Sequence, residues 1–285
     1  MVSRNLILLA FLALFAGVTL AVQEDGAMGL EQSVCGLKEP LMFWLWSHMA
    51  GSPNADRLAG LRNVEDIAFT TKDGRLLRGY ELKAGGPDGQ PSAPRGYLLV
   101  MQGNAILADQ IIAEFAQYAA AGFDVYAYDF RGYGRSRGRR RLKAIVSDYA
   151  EILAALDAAG YGQRLVYAMS FGGIALLDGF EAHGRLDRII VDSAPSRLSD
   201  YGCPTAYDPV SHLPDDCHRF LFIVGQNDTV VTPAMSQELV ETAQQCGAEV
   251  LRDAAFGHPF MEHEPSVHRR RMQVIEDYLL GDTRD

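Results

Sequence analysis

The sequence predicts an α/β fold, a mostly parallel sheet with helices on both faces. Two observations carry that expectation. From Tyr97 onward, strand-like and helix-like stretches alternate, and runs such as Tyr97-Leu98-Leu99-Val100-Met101 are unbroken apolar segments of the kind buried on both faces. The composition, 48% hydrophobic and 22% charged over 285 residues, suits one large domain with a full core.

The chain opens with Arg4 and an apolar run from Leu6 to Leu20, which ends in Thr-Leu-Ala before Val22 and the acidic pair Glu24-Asp25. This pattern predicts a secretory signal peptide over residues 1–21, cut after Ala21. The competing reading is an uncleaved membrane anchor, for which about 15 apolar residues are short against the roughly 20 a span needs. Export to the periplasm or the medium is therefore expected. Residues 22–63 form an N-terminal extension that contains the apolar knot Leu41-Met42-Phe43-Trp44-Leu45-Trp46. The knot is expected to pack across the domain, and a peripheral membrane contact is the other use such tryptophans serve.

The main domain, residues 64–285, starts with a hairpin of Ile67–Thr70 and Leu76–Leu82 turned at Asp73-Gly74. A Gly/Pro-rich connector, Gly85 to Gly96, leads to strand Tyr97–Met101. Helix Ile106–Ala121 then precedes strand Asp124–Phe130, helix Leu142–Ala159 precedes strand Leu165–Met169, and helix Ile174–His183 precedes strand Arg188–Asp192. Strand Phe220–Val224, helix Ala234–Cys246, strand Glu249–Arg252 and helix Val267–Leu280 complete the order.

The stretch Leu165 to Gly173, Leu-Val-Tyr-Ala-Met-Ser-Phe-Gly-Gly, packs a strand, a turn and a helix start into few residues. Ser170 on such a turn must adopt a strained backbone, and small residues two places to either side, Ala168 and Gly172, let strand and helix approach. An idle serine on a strand-to-helix turn is the plainer reading of this stretch alone. The stretch resembles the G-x-S-x-G nucleophile elbow of the α/β-hydrolase superfamily, with alanine in the first glycine's place. Tyr128 to Ser136, Tyr-Asp-Phe-Arg-Gly-Tyr-Gly-Arg-Ser, is similar to that family's D-x-R-G-x-G-x-S loop, and the resemblance covers roughly Val64 to Leu280. It implies the α/β-hydrolase fold. Many members insert a cap where this chain has only Ser193 to Arg219, so the cap is expected to be minimal and the site open.

The resemblance also sets the chain order to look for: serine, acid, histidine. Gly225-Gln226-Asn227-Asp228 follows a strand and places Asp228 where α/β sites assemble, with Asp192 as the rival acid and an Asx turn or helix cap as the structural alternative. Of seven histidines, His258 in Gly257-His258-Pro259 follows the last strand, and His263 is the reserve. In this reading Ser170 is the nucleophile, His258 the base and Asp228 its orienting acid. The amides of Phe171 and of Asn104, in the turn Gln102-Gly103-Asn104-Ala105 that resembles the family's His-Gly-Asn turn, would form the oxyanion hole.

The expected activity is that of a serine hydrolase acting on a carboxylic ester, thioester or amide, with a small-molecule or acyl substrate and neither metal nor organic cofactor. Peptidase and thioesterase are the alternatives within the fold, and a non-catalytic binding protein is the alternative outside enzymology. A net charge of −10 argues against nucleic acid as partner. Against that acidic background Arg131, Arg135, Arg137, Arg139, Arg140, Arg141 and Lys143 form a basic cluster, read either as a solvated loop paired with acids or as a surface for anionic groups. Oligomeric state leaves no trace in the sequence. Cys35, Cys203, Cys217 and Cys246 form an even set with no zinc-like spacing, which fits export. Three pairings are open, and Cys203 with Cys217 is favoured because the Pro-, Asp- and Tyr-rich stretch between them reads as a loop that a staple would hold.

Overall fold

The computed structural model describes residues 34–85, 90–180 and 186–281. The expected signal peptide, residues 1–21, lies outside them, as does His183. Eight strands form one sheet: β1 (Val64–Thr70), β2 (Leu76–Leu82), β3 (Gly96–Met101), β4 (Phe123–Tyr128), β5 (Gln163–Met169), β6 (Arg188–Asp192), β7 (Phe220–Gly225) and β8 (Glu249–Asp253). Their order is β1-β2-β4-β3-β5-β6-β7-β8. The opening hairpin is antiparallel, β2 joins β4 antiparallel, and every later pairing is parallel.

The helices are α1 (Glu39–Met49), α2 (Ala108–Ile111), α3 (Ala116–Ala120), α4 (Leu142–Ala158), α5 (Phe171–Asp178), α6 (Pro233–Gln245) and α7 (Pro265–Leu280). Alternate residues of the central strands divide the core in two. Leu99, Met101, Val166, Ala168, Ile189, Val191, Phe222 and Val224 face one cluster, packed with α1, α4, α5 and α6. Leu98, Val100, Leu165, Tyr167, Ile190, Leu221 and Ile223 face the other, packed with α2, α3 and α7. Covering both faces is why the strands read as unbroken apolar runs.

Three expectations are corrected. The helix predicted over Ile106–Ala121 is broken by a 3₁₀ turn at Ile112–Phe115, which brings Ile112 and Phe115 into line against the sheet. The stretch from Ser193 to Arg219 holds only short 3₁₀ turns, as a minimal cap requires, but the site is walled on another side by α1 of the N-terminal extension. The disulfides join Cys35 to Cys203 and Cys217 to Cys246, not Cys203 to Cys217. The reason is tertiary: the amide of Val34 donates to the carbonyl of Tyr201 at 2.7 Å, and that of Cys217 to the carbonyl of Cys246 at 2.8 Å, so each cysteine meets a partner distant in sequence. Two disulfides accord with an oxidising, exported setting, and no described helix is long and apolar enough to cross a membrane.

Candidate active site

Ser170 sits between β5 and α5 with φ of 52° and ψ of −117°. A positive φ in a residue with a Cβ costs roughly 1–3 kcal/mol, so the surroundings must hold it there. They do so through the backbone: the amide of Ser170 donates to the carbonyl of Asp192 at 2.8 Å, and the carbonyl of Ser170 accepts from the amide of Gly173 at 3.0 Å. A Cβ on Gly172 would lie 2.2 Å from the carbonyl oxygen of Met101 and 2.8 Å from that of Gln102. Glycine is therefore required here by close approach between α5 and the end of β3. Ala168 is fully buried within β5, where its small side chain is accommodated beside Met101 and Val191.

The turn after β3 lies against the elbow, since a Cβ on Gly103 would be 3.4 Å from the Cβ of Ser170. Asn104 is anchored by its side chain, whose Oδ1 accepts from the Tyr133 hydroxyl at 2.5 Å and from the amide of Ala105 at 3.1 Å. Ala105 carries a φ of 60°. Tyr133 belongs to the Asp129–Ser136 loop, which is itself tightly specified. Asp129 Oδ1 accepts from the amide of Ala108 at 2.9 Å, and its carboxyl is pushed up to about 6, chiefly by burial. The Ser136 hydroxyl donates to the Asp129 carbonyl at 2.8 Å. This loop thus braces the candidate oxyanion turn, with Tyr133 as the brace, a role the sequence did not reveal.

Asp228 follows β7 and is buried. Its two oxygens do two jobs: Oδ1 accepts from the amides of Val230 and Val231 at 2.8 and 2.9 Å, and Oδ2 accepts from Nδ1 of His258 at 2.8 Å. The Asx turn is therefore present, and the same carboxylate is also hydrogen-bonded to His258. A carboxylate only accepts, so Nδ1 carries the proton and Nε2 is left as the acceptor. The rival Asp192 is engaged elsewhere. It takes Nη1 of Arg271 at 2.6 Å and the Tyr167 hydroxyl at 3.0 Å.

Arg271 is fully buried and also reaches Glu262 at 2.5 Å and the carbonyl of Gly257, the residue before His258. One side chain therefore ties the His258 loop to the strand end that holds the Ser170 amide. The remaining described histidines lie in other settings: His48 against Trp44, His212 by Asp178, His218 by Asp216, and His268 between Glu114 and Glu262.

Ser170, His258 and the reserve His263 line one cavity of about 450 Å³, and no hydrogen bond joins the Ser170 hydroxyl to the imidazole of His258. Both groups face the same space, as does the turn bearing Gly103 and Asn104. The walls are largely apolar, among them Phe43 and Trp46 of α1, Phe171, Leu198 and Met235. Among the described residues no Asp, Glu, Lys or Arg lines it. Among the described residues no group of three or more His, Cys, Asp or Glu side chains is placed to hold a metal ion.

Comparison with known proteins agrees with this architecture. Residues 92–206 match the hydrolase family model described as serine aminopeptidase, S33. A curated relative, the polyketide transferase claH of Penicillium crustosum, is 28% identical over 141 residues, which cover 47% of this chain and 44% of that protein. Among solved structures, an esterase of Pyrococcus furiosus superposes with a TM-score of 0.63 at 16% identity, covering 81% of this chain and 96% of that one. A lidless α/β serine hydrolase of Xanthomonas campestris gives a TM-score of 0.58 at 18% identity, covering 78% and 97%. These likenesses establish the α/β-hydrolase fold.

Proposed function

Taking the α/β-hydrolase fold as given, we propose that this chain is an exported serine hydrolase that cleaves carboxylic esters of apolar acyl groups through an acyl-enzyme. The observation that carries the reading is the Asp228–His258 hydrogen bond of 2.8 Å beside a cavity that also takes in Ser170 on its strained turn. Nε2 of His258 removes the Ser170 proton as Oγ attacks the ester carbonyl, and Asp228 balances the imidazolium that forms. The amides of Phe171 and Asn104 receive the oxyanion. The imidazolium then returns its proton to the leaving alcohol, and water activated by the same His258 releases the acid. The Ser170–His258 bond closes in the substrate complex, since catalytic hydrogen bonds often tighten only there.

An aminopeptidase is the second reading, prompted by the family match. The ester reading is preferred because the described walls of the cavity are largely apolar, which suits an acyl chain better than a protonated substrate amine. The two disulfides support export.

The test is labelling with a fluorophosphonate together with turnover of p-nitrophenyl esters of graded chain length and of aminoacyl amides. Stoichiometric labelling at Ser170, faster turnover of the apolar esters, and a fall of about 10⁴-fold or more in Ser170→Ala are expected. Unchanged turnover in Ser170→Ala would remove the nucleophile assignment. Folded protein that neither labels nor turns over any acyl substrate would instead mark a binding protein.

A further inference from the structure

Among the described residues the outward face of α1 is left exposed. Leu37, Leu41 and Trp44 are 88%, 62% and 48% exposed, and they are the exposed large hydrophobic residues among those described. Leu41, Trp44 and His48 share one side of the helix by their spacing, the Trp44 and His48 rings lying 4.2 Å apart and tilted, and Leu37 is in the turn just before it. Phe43 and Trp46 point the other way and wall the cavity that holds Ser170.

The basic loop lies alongside. The first turn of α1 is tied to it through Glu39, whose carboxylate accepts from the amide of Leu142 at 2.7 Å and pairs with Arg141 at 3.5 Å. Arg131 and Arg135 are consumed by ion pairs with Asp73, Asp148 and Asp66. Arg137, Arg139 and Lys143 are exposed, Arg140 gives its Nε to the Gly132 carbonyl, and none of these four meets a carboxylate among the described residues. A chain of net charge −10 thus keeps, among its described residues, a cluster of cations without carboxylate partners near its exposed apolar row.

We propose that the outward face of α1 and the segment 137–143, where the basic loop enters α4, form a docking surface for an anionic lipid bilayer. The apolar row enters the headgroup region, tryptophan being favoured at that depth, while the arginines and lysine meet lipid phosphates. A second protein copy fits less well, because like charges on two basic loops would be brought together. Docking on this face seats the cavity wall formed by α1 next to the membrane, where apolar esters partition. The inference goes beyond the hydrolase reading and does not depend on turnover.

The test uses the full chain in sedimentation with vesicles of phosphatidylcholine alone and of phosphatidylcholine mixed with phosphatidylglycerol, read as protein partitioned rather than as activity. The wild type is expected to bind the anionic vesicles preferentially, and less at high salt. Leu41→Ser with Trp44→Ser, and separately Arg139→Ser with Lys143→Ser, should each lower partitioning by about tenfold, of the order of one to two basic contacts or one inserted aromatic. Both double variants should keep wild-type circular dichroism and wild-type hydrolysis of a soluble short-chain ester. Vesicle binding that is unchanged in both variants would place attachment in the apolar leader and overturn the proposal. So would binding indifferent to phosphatidylglycerol, no binding at all, or a loss of self-association in the Leu41→Ser, Trp44→Ser variant without vesicles.

Discussion

Asp178, on α5, is a carboxyl group with 3% of its side chain exposed and neither oxygen hydrogen-bonded among the described residues, with Nε2 of His212 at 3.5 Å. Burial, helped by the charge of Asp208, pushes its pKa up to about 8. Its folded pKa is thus above the unfolded one, so the native state holds a proton that the unfolded chain has lost, and stability falls as pH rises from about 4 to about 8. Asp178→Asn should match the wild type near pH 4 and be more stable by roughly 1–3 kcal/mol above pH 8, in thermal melts across that range. At this scale the candidate triad was legible, because each member sits in local chemistry that marks it: small residues around Ser170, a strand end before Asp228, Gly and Pro flanking His258. The hydroxyl of Tyr133 on Asn104 was not, since the two residues are 29 positions apart and only the packed loop brings them together.

Arg271 shows what elements do that residues alone do not. Lying on α7, it bonds to Asp192 at the end of β6, to Glu262 and to the Gly257 carbonyl in the loop that carries His258. Replacing it with methionine leaves the buried Asp192 without a cation and Glu262 with only His268 beside it. A loss of about 3–5 kcal/mol is expected in urea denaturation, and combining Arg271→Met with Asp192→Asn should cost less than the separate losses summed. The strands were readable from their apolar runs, and the parallel order followed from alternation with helices. The broken helix before β4 was not, because its apolar residues suit an α-helix and a 3₁₀ turn equally and the choice is made by contact with the sheet. The helix α1 was expected to pack across the domain and does, but nothing in its sequence said that its inner face would wall the cavity.

Across the whole molecule, the two disulfides differ in what they close. Cys35–Cys203 spans 168 residues and Cys217–Cys246 spans 29, so chain entropy assigns roughly 5 kcal/mol to the first and roughly 3–4 kcal/mol to the second. Cys35 and Cys203 also line the cavity. Replacing both with serine should therefore lower the melting temperature and raise KM for long-chain esters more than kcat falls, whereas the Cys217→Ser, Cys246→Ser pair should lower stability with KM kept. Steady-state kinetics over an acyl series would read the difference. The sequence could not give these pairings, since proximity along the chain favoured the wrong partner and tertiary backbone bonds decide the right ones.

The wall contributed by α1 has one more implication, concerning when the cavity is completed. The pocket's boundary is assembled from the beginning, the middle and the end of the polypeptide and is then locked by a covalent bond. A newly made chain still awaiting oxidation would hold that boundary less firmly, so the cavity would take its final shape only with maturation.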